Sequence, residues 1–282
     1  MALAPFAYRV AHTVEEALEL LRTHGDAKVL SGGQSLIPAL KLRLTSPPML
    51  IDISRIPGIG AISRENGTLH IGATATHRQV EKSAVVKEAS PVLAAVAHQI
   101  GDVQVRHRGT FGGSLVHADP AADWPAGALA AEATMVIAGP HGTRTIPATE
   151  FFTGMLTSAV GPDELLLEVR VPANGAPGTY RKQRNAASGY ATVGVAATAT
   201  HENGHIGHVT IAVTGATEIA FRATAAEASL VGAAIGPDAL DHAAELAADG
   251  IECLADIHAP ADYRQHLVKV LVRRALGDLL HG

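Results

Sequence analysis

Two short segments with paired glycines constrain this chain more than anything else in it: Ser31-Gly-Gly-Gln-Ser35 and Thr110-Phe-Gly-Gly-Ser114. Adjacent glycines remove two Cβ atoms and open the left-handed region of backbone space. A chain uses them where its backbone must turn sharply or approach something closely. Consecutive N–H groups in such a segment can converge into an anion-binding concavity, and the closing serine adds a hydroxyl donor. The second segment sits in Arg108–Pro125 (RGTFGGSLVHADPAADWP), where a His and two Asp follow among small residues. Two such segments on separate structural units suit the two phosphates of one extended ligand. By spacing alone, two ordinary turns are the simpler reading, and both readings stand at this point.

The surrounding pattern is that of an ordered α+β chain. Of 282 residues, 47% are hydrophobic and only 4% aromatic, so Ala, Val, Leu and Ile must fill the core. Three units are expected. In residues 1–56, Thr13 caps a helix with Glu16 reaching back, and short strands at 27–30 and 49–53 complete a βαβ-like unit. Residues 57–176 carry a strand at 68–72, a helix from Thr76, a helix over 91–100, a helix over 124–131, a hairpin around Pro140–Gly142 and a strand over 164–171. The turn-rich run Pro172–Gly178 reads as a linker. Residues 177–282 show three strands in an antiparallel meander (180–184, 192–200, 208–214), then three helices (223–231, 239–248, 260–280).

Composition also excludes classes. A net charge of −5 argues against nucleic acid as the main partner. One cysteine, Cys253, rules out an internal disulfide and any four-cysteine iron–sulfur or zinc site in this sequence. No stretch reaches the roughly 20 apolar residues of a membrane span, and no leader pattern opens the sequence, so a cytoplasmic location is expected. His117, Asp119 and Asp123 admit a metal site, but Asp123 directly before Trp124-Pro125 also fits a helix cap. The run Arg181-Lys182-x-Arg184 fits either a solvated strand edge or a contact to an anionic ligand. No nucleophile elbow or Walker-type loop is present, and Cys253 has no evident base partner.

The segments taken together resemble the FAD-binding medium subunit of molybdenum hydroxylases, the type found in aerobic carbon monoxide dehydrogenase. The resemblance is carried by Ser31–Leu40, Leu50–Ile56, Gly72–His77, Gly109–Leu115, Asp119–Asp123, Ala187–Ala197 and Asp256–Leu267, in order along nearly the whole chain. It implies a two-part FAD-binding domain of the PCMH type followed by a small C-terminal domain with a three-stranded sheet and three helices. It implies that Ser31, Gly32, Gly33, Gln34, Ser35 and Leu36, with Thr110, Gly112, Gly113 and Ser114, hold the FAD diphosphate. By the same resemblance Asp123 meets the sugar-like chain of the flavin, Tyr190 lies beside the isoalloxazine, and Leu165 and Lys182 fall near the ring. Ser31 stands where the family usually has Ala, and Ser114 where Asn or Asp is common. Residues 183–187 lack the second arginine and the acid of some members. The implied role is electron transfer, with no catalytic residue and no metal on this chain. The iron–sulfur clusters and molybdenum cofactor are expected on small and large partner subunits, in a dimer of heterotrimers. Two alternatives remain: a self-contained flavin oxidoreductase with its own substrate, and a flavin-free interaction subunit.

Overall fold

The computed structural model describes residues 3–280. Its first unit is a three-stranded parallel sheet in which Met49–Asp52 lies between Ala7–Val10 and Lys28–Leu30. The central strand is apolar and almost wholly buried, as a parallel strand covered on both faces must be. The Val14–Thr23 helix packs Ala17 and Leu21 inward. Thr13 Oγ1 accepts from Glu16 N–H at 3.1 Å, and the Glu16 carboxylate reaches one residue further back than the expected box, to His12 N–H at 2.7 Å.

The second unit is a five-stranded antiparallel sheet in the order Ile62–Glu65, Thr68–Gly72, Leu165–Pro172, Thr134–Gly139, Gly142–Pro147. The polar first strand escapes the sequence reading. It is paired through Asn66-Gly67, both at positive φ as a two-residue hairpin turn demands. Helices Pro91–Gln99, Phe111–His117 and Trp124–Ala130 contribute to the core beside this sheet. Trp124 and Phe111 meet there edge to face, with ring centroids 4.5 Å apart. Leu165, at the start of the central strand, packs into the first unit's cluster with Ile51, Ile53 and Ile56, so the two units share apolar contacts.

The third unit is a four-stranded antiparallel sheet, one strand more than expected: Gly178–Arg184, Ala191–Glu202, His205–Thr214 and Phe221–Arg222. The last strand is two residues long, below what a hydrophobic pattern can reveal. Three helices follow, Thr224–Leu230, Pro237–Ala248 and Ala261–Leu280. Val193, Val195, Ala197 and Ala199 share a cluster with these helices, while Ala196 and Ala212 belong to the core of the second unit. Alternation along one strand therefore serves two cores, which explains why Ala191–Ala199 is small and apolar on both faces.

A buried ion pair ties the third unit to the second. Lys182 Nζ lies 2.9 Å from both carboxylate oxygens of Asp123, and its side chain is 1% exposed. Tyr180 Oη donates to Asp123 Oδ1 at 2.5 Å. Gln99 supports both partners: its carbonyl accepts from Lys182 at 3.2 Å, and its Nε2 donates to Tyr180 O at 2.7 Å. Gly194 makes room, since a Cβ there would lie 2.2 Å from the Tyr180 hydroxyl. Asp123 precedes the Trp124–Ala130 helix as expected but makes no side-chain cap bond, because its carboxylate is turned to Lys182. Burial pushes the Asp123 carboxyl above its usual range and the Lys182 ammonium below its own, and their mutual attraction opposes both effects. Thr214 Oγ1 adds bonds to Pro120 O and Ala122 O at 2.8 and 2.7 Å.

A second polar cluster lies inside the second unit. Glu81, 5% exposed, is surrounded by Arg78, Lys82, His98 and Arg106. Burial opposes its charge, but bonds from His98 and Lys82 and the Arg106 charge outweigh that and hold the carboxyl at about 2.

Two outcomes follow from these buried charges. Asp123→Asn leaves the Lys182 ammonium buried without a counter-charge, and the expected loss is about 3–5 kcal/mol, read as a lower denaturant midpoint; an unchanged midpoint contradicts the tie. The second outcome concerns acid. His77 is held at about 3, by burial first and Arg106 second, against an ordinary 6.5, and Glu81 at about 2 against 4.5. Both groups bind fewer protons folded than unfolded at acid pH. Their stabilisation is complete above pH 6.5 and is lost as pH falls, for His77 from 6.5 toward 3 and for Glu81 from 4.5 toward 2. Thermal midpoints should drop through these windows, and Glu81→Gln should flatten the lower one.

Candidate functional site

The two glycine segments, 79 residues apart between Ser31 and Thr110, meet in space: Ser31 Oγ and Thr110 Oγ1 are 2.9 Å apart. Gly32 permits the meeting. A Cβ on it would lie 2.2 Å from Arg108 O and 2.9 Å from Thr110 N. Gly33 takes φ +72, a conformation most side chains disfavour. The first segment links the Lys28–Leu30 strand to the Leu36–Lys41 helix.

Backbone donors accumulate here. Among the described residues, the N–H groups of Ser31 through Leu36 bond to no acceptor in the chain, although Gly33 O and Ser35 O accept from Ile37 and Ala39 further along. Six consecutive free donors, with a left-handed residue among them, make a nest suited to anionic oxygens.

The second segment is not a loop. Thr110 is extended, and Phe111–His117 is a helix whose first turn contains both glycines. Its two glycines have different jobs. Gly112 donates to Ala73 O at 2.9 Å, and a Cβ on it would lie 2.6 Å from the Ala73 Cβ, so it serves close packing. Gly113 is exposed, with its nearest neighbours the Thr110 hydroxyl and Ser31 Cβ. The N–H groups of Thr110 and Gly113 bond to no acceptor in the chain among the described residues, while that of Phe111 is bound by Ala75 O. The segment thus contributes two free backbone donors, with the Thr110 hydroxyl beside them.

Tyr190 approaches from the third unit. Asn185–Tyr190 forms a compact turn in which Asn185 Oδ1 accepts from Ala187 and Ser188, and Asn185 N–H donates to Tyr190 O at 2.9 Å. Gly189 stands at φ +76 against the Arg184 guanidinium. Tyr190 is 38% exposed, with its hydroxyl beside the Ser35 side chain of the first segment. Burial and the nearby Asp119 charge raise its pKa above 10.0, so the phenol is protonated throughout the neutral range. Beyond Tyr190 a cavity of about 190 Å³ is lined by Asp119, Asn185, Ser188, Asp256, His258 and Arg264, among others.

The structure therefore brings together Ser31–Leu36, Thr110, Gly113, Ser114 and Tyr190. Asp123 and Lys182 lie behind, engaged with each other, and Leu165 is 4% exposed within the core. Among the described residues no three His, Cys, Asp or Glu side chains are placed to hold a metal, and Asp123 is turned away from any site with His117 and Asp119. Tyr180 and Gln99 were not legible as site supports. The signal for Tyr180 was Gly194, an isolated glycine in an otherwise well-formed strand.

Unpaired donors on both segments, and the exposed glycine where a Cβ would stand between Ser31 and Thr110, fit the diphosphate of FAD. Residues 4–174 match the FAD binding domain in molybdopterin dehydrogenase, and residues 178–279 the CO dehydrogenase flavoprotein C-terminal domain. The carbon monoxide dehydrogenase medium chain of Hydrogenophaga pseudoflava is 38% identical over 274 residues, 96% of each protein. The 6-hydroxypseudooxynicotine dehydrogenase complex subunit alpha of Paenarthrobacter nicotinovorans is 36% identical, covering 98% of this chain and 95% of that one. The solved structure of the Hydrogenophaga pseudoflava carbon monoxide dehydrogenase that lacks the Mo-pyranopterin moiety superposes with a TM-score of 0.97 at 39% identity, over 100% of this chain and 99% of that one. This chain belongs to the family of FAD-binding subunits of the molybdenum hydroxylases.

Proposed function

We propose that this chain is the FAD-binding electron-transfer subunit of a cytoplasmic molybdenum hydroxylase complex. The observation that carries the reading is the pair of donor-bearing segments in contact, Ser31–Leu36 and Thr110–Gly113. Held there, FAD would supply the redox chemistry that links iron–sulfur clusters of a small partner subunit to an external acceptor. The molybdenum cofactor belongs to a large partner subunit, in a dimer of heterotrimers. Similarity to relatives named as the medium chain or a complex subunit of a dehydrogenase, and the single cysteine of this chain, support that division.

The chain's own residues bind, orient and shield. The nest at Ser31–Leu36 and the donors of Thr110 and Gly113 would hold the diphosphate through uncharged backbone groups. Ser114 and Thr110 add hydroxyl donors at the same edge. Tyr190, protonated and beside Ser35, would lie against the isoalloxazine and keep water from one face. The Asp123–Lys182 pair fixes the Gly178–Arg184 strand that leads into the Tyr190 turn, and so sets where that ring stands. Leu165, packed with Ile51 and Ile53, would act only from within the core.

Gly113→Val tests the site. Its side chain projects into the space between Ser31 and Thr110, while the flexible Thr110 hydroxyl is the only atom closer than 3 Å to the new Cβ. FAD affinity should fall by more than about tenfold with the far-ultraviolet circular dichroism unchanged; full flavin content contradicts the assignment. Gly32→Val is unsuitable, because it collides with backbone. The role is tested separately. The FAD-loaded chain alone, mixed anaerobically with carbon monoxide, aldehydes or N-heterocycles, should keep its oxidised absorbance, and bleaching by any of them would establish a self-contained oxidoreductase instead.

A further inference from the structure

His77 stands directly behind the second glycine segment and takes no part in the binding scheme above. Its backbone N–H donates to Gly109 O at 2.9 Å, and the residue is 4% exposed. Trp124 Nε1 donates to His77 Nδ1 at 2.9 Å from a fully buried indole. An accepting Nδ1 puts the single ring proton of a neutral imidazole on Nε2. Burial and the Arg106 charge hold its pKa at about 3, so the ring is neutral through the neutral range. The Nε2 edge lies against Gly109: a Cβ there would come within 2.6 Å of Nε2 and 2.8 Å of Cδ2. Gly109 has φ −59 and ψ 141, a backbone conformation open to any residue. Glycine is therefore required at 109 by the ring beside it, not by the turn of the chain. The next residue is Thr110, whose N–H and hydroxyl face Gly32 and Ser31.

We propose that His77 is a positioning residue for the FAD diphosphate: its imidazole, keyed to Trp124 and wedged against Gly109, sets the depth of the Gly109–Thr110 backbone and hence the spacing between the two donor segments. The inference rests on the reading that Ser31–Leu36 and Thr110–Gly113 hold the diphosphate. A ring serves this purpose because it is stiff, it accepts on one side, and it presents a flat edge on the other. Its neutrality also keeps a titrating charge out of the floor beneath the phosphates. The bond to Trp124 joins the wedge to the helix that begins after Asp123, so one imidazole references the donor segment to the core.

Reciprocal substitution tests the contact, with FAD affinity of the full chain measured by quenching of flavin fluorescence. Gly109→Ala drives a methyl group into the imidazole edge and should weaken FAD about tenfold or more. His77→Asn keeps an acceptor for the Trp124 indole, because Asn Oδ1 replaces Nδ1, and removes the Nε2 edge. The double variant His77→Asn with Gly109→Ala should therefore recover most of the affinity that Gly109→Ala loses. Recovery by removing a second side chain is not expected of two independent structural defects, which would add. The proposal is overturned if Gly109→Ala binds FAD within about twofold of the parent, or if the double variant binds no better than Gly109→Ala. Should Gly109→Ala fail to fold, the double variant decides: a folded, FAD-binding chain supports the wedge, and an unfolded one overturns it. Gly113→Val run alongside separates the two levels, since full FAD binding by that variant refutes the diphosphate reading itself.

Discussion

Backbone meets backbone at Gly32, and the site depends on that contact. The Gly32 Cα faces Arg108 O and Thr110 N so closely that any side chain would separate the segments. Separation would pull Ser31 from Thr110 and open the gap across which the free N–H groups act together. The energetic logic is that of a preorganised anion site. The donors are fixed by the fold before a ligand arrives, so little ordering remains to be done on binding. Unpaired backbone donors carry a cost when buried, and residues 31–36 and Gly113 accordingly stay half-buried to exposed.

The third unit contributes to the same site through a different kind of interaction. Its first strand is held by a charged pair in the interior, at Asp123 and Lys182, with Tyr180 and Gln99 satisfying the remaining polar atoms. Such a pair adds little net stability over apolar packing, but it fixes geometry, because only one docking of the strand satisfies every partner. The Asn185–Tyr190 turn follows directly from that strand. The position of Tyr190 is thus inherited from a bond network in the interior, several residues away.

Much of this was legible in the sequence, and the failures have physical causes. The Thr13 cap, the Thr68–Gly72 strand, the hairpin around Pro140–Gly142 and the linker at Pro172–Gly178 are found where hydrophobic period and turn chemistry put them. The Ile62–Glu65 strand is polar and the Phe221–Arg222 strand is two residues long, so neither has a period to read. Ser31–Leu36 was legible because its donors are sequential. Thr110–Ser114 was legible as a place but not as a shape, since glycines suggested a loop while tertiary packing against Ala73 and Ala75 gave a helix start. The roles of Asp123 and Lys182 depend on residues 57 positions away in one case and 83 in another, at Tyr180 and Gln99. No local pattern encodes such distances.

The central strand of the second sheet is the last one in the sequence to join it. Leu165–Pro172 inserts between Thr68–Gly72 and Thr134–Gly139 and hands Leu165 to the core of the first unit. As the chain emerges during synthesis, the strand pairs on either side therefore wait with open edges until residue 172 is available. Closure of the sheet and sealing of the first unit's core then coincide in one long-range step, of the kind that slows folding because chain entropy is surrendered before contacts repay it. Until that step the two donor segments lack the frame that the closed sheet gives them, so the site proposed for the cofactor would be incomplete on a nascent chain that ends before residue 172.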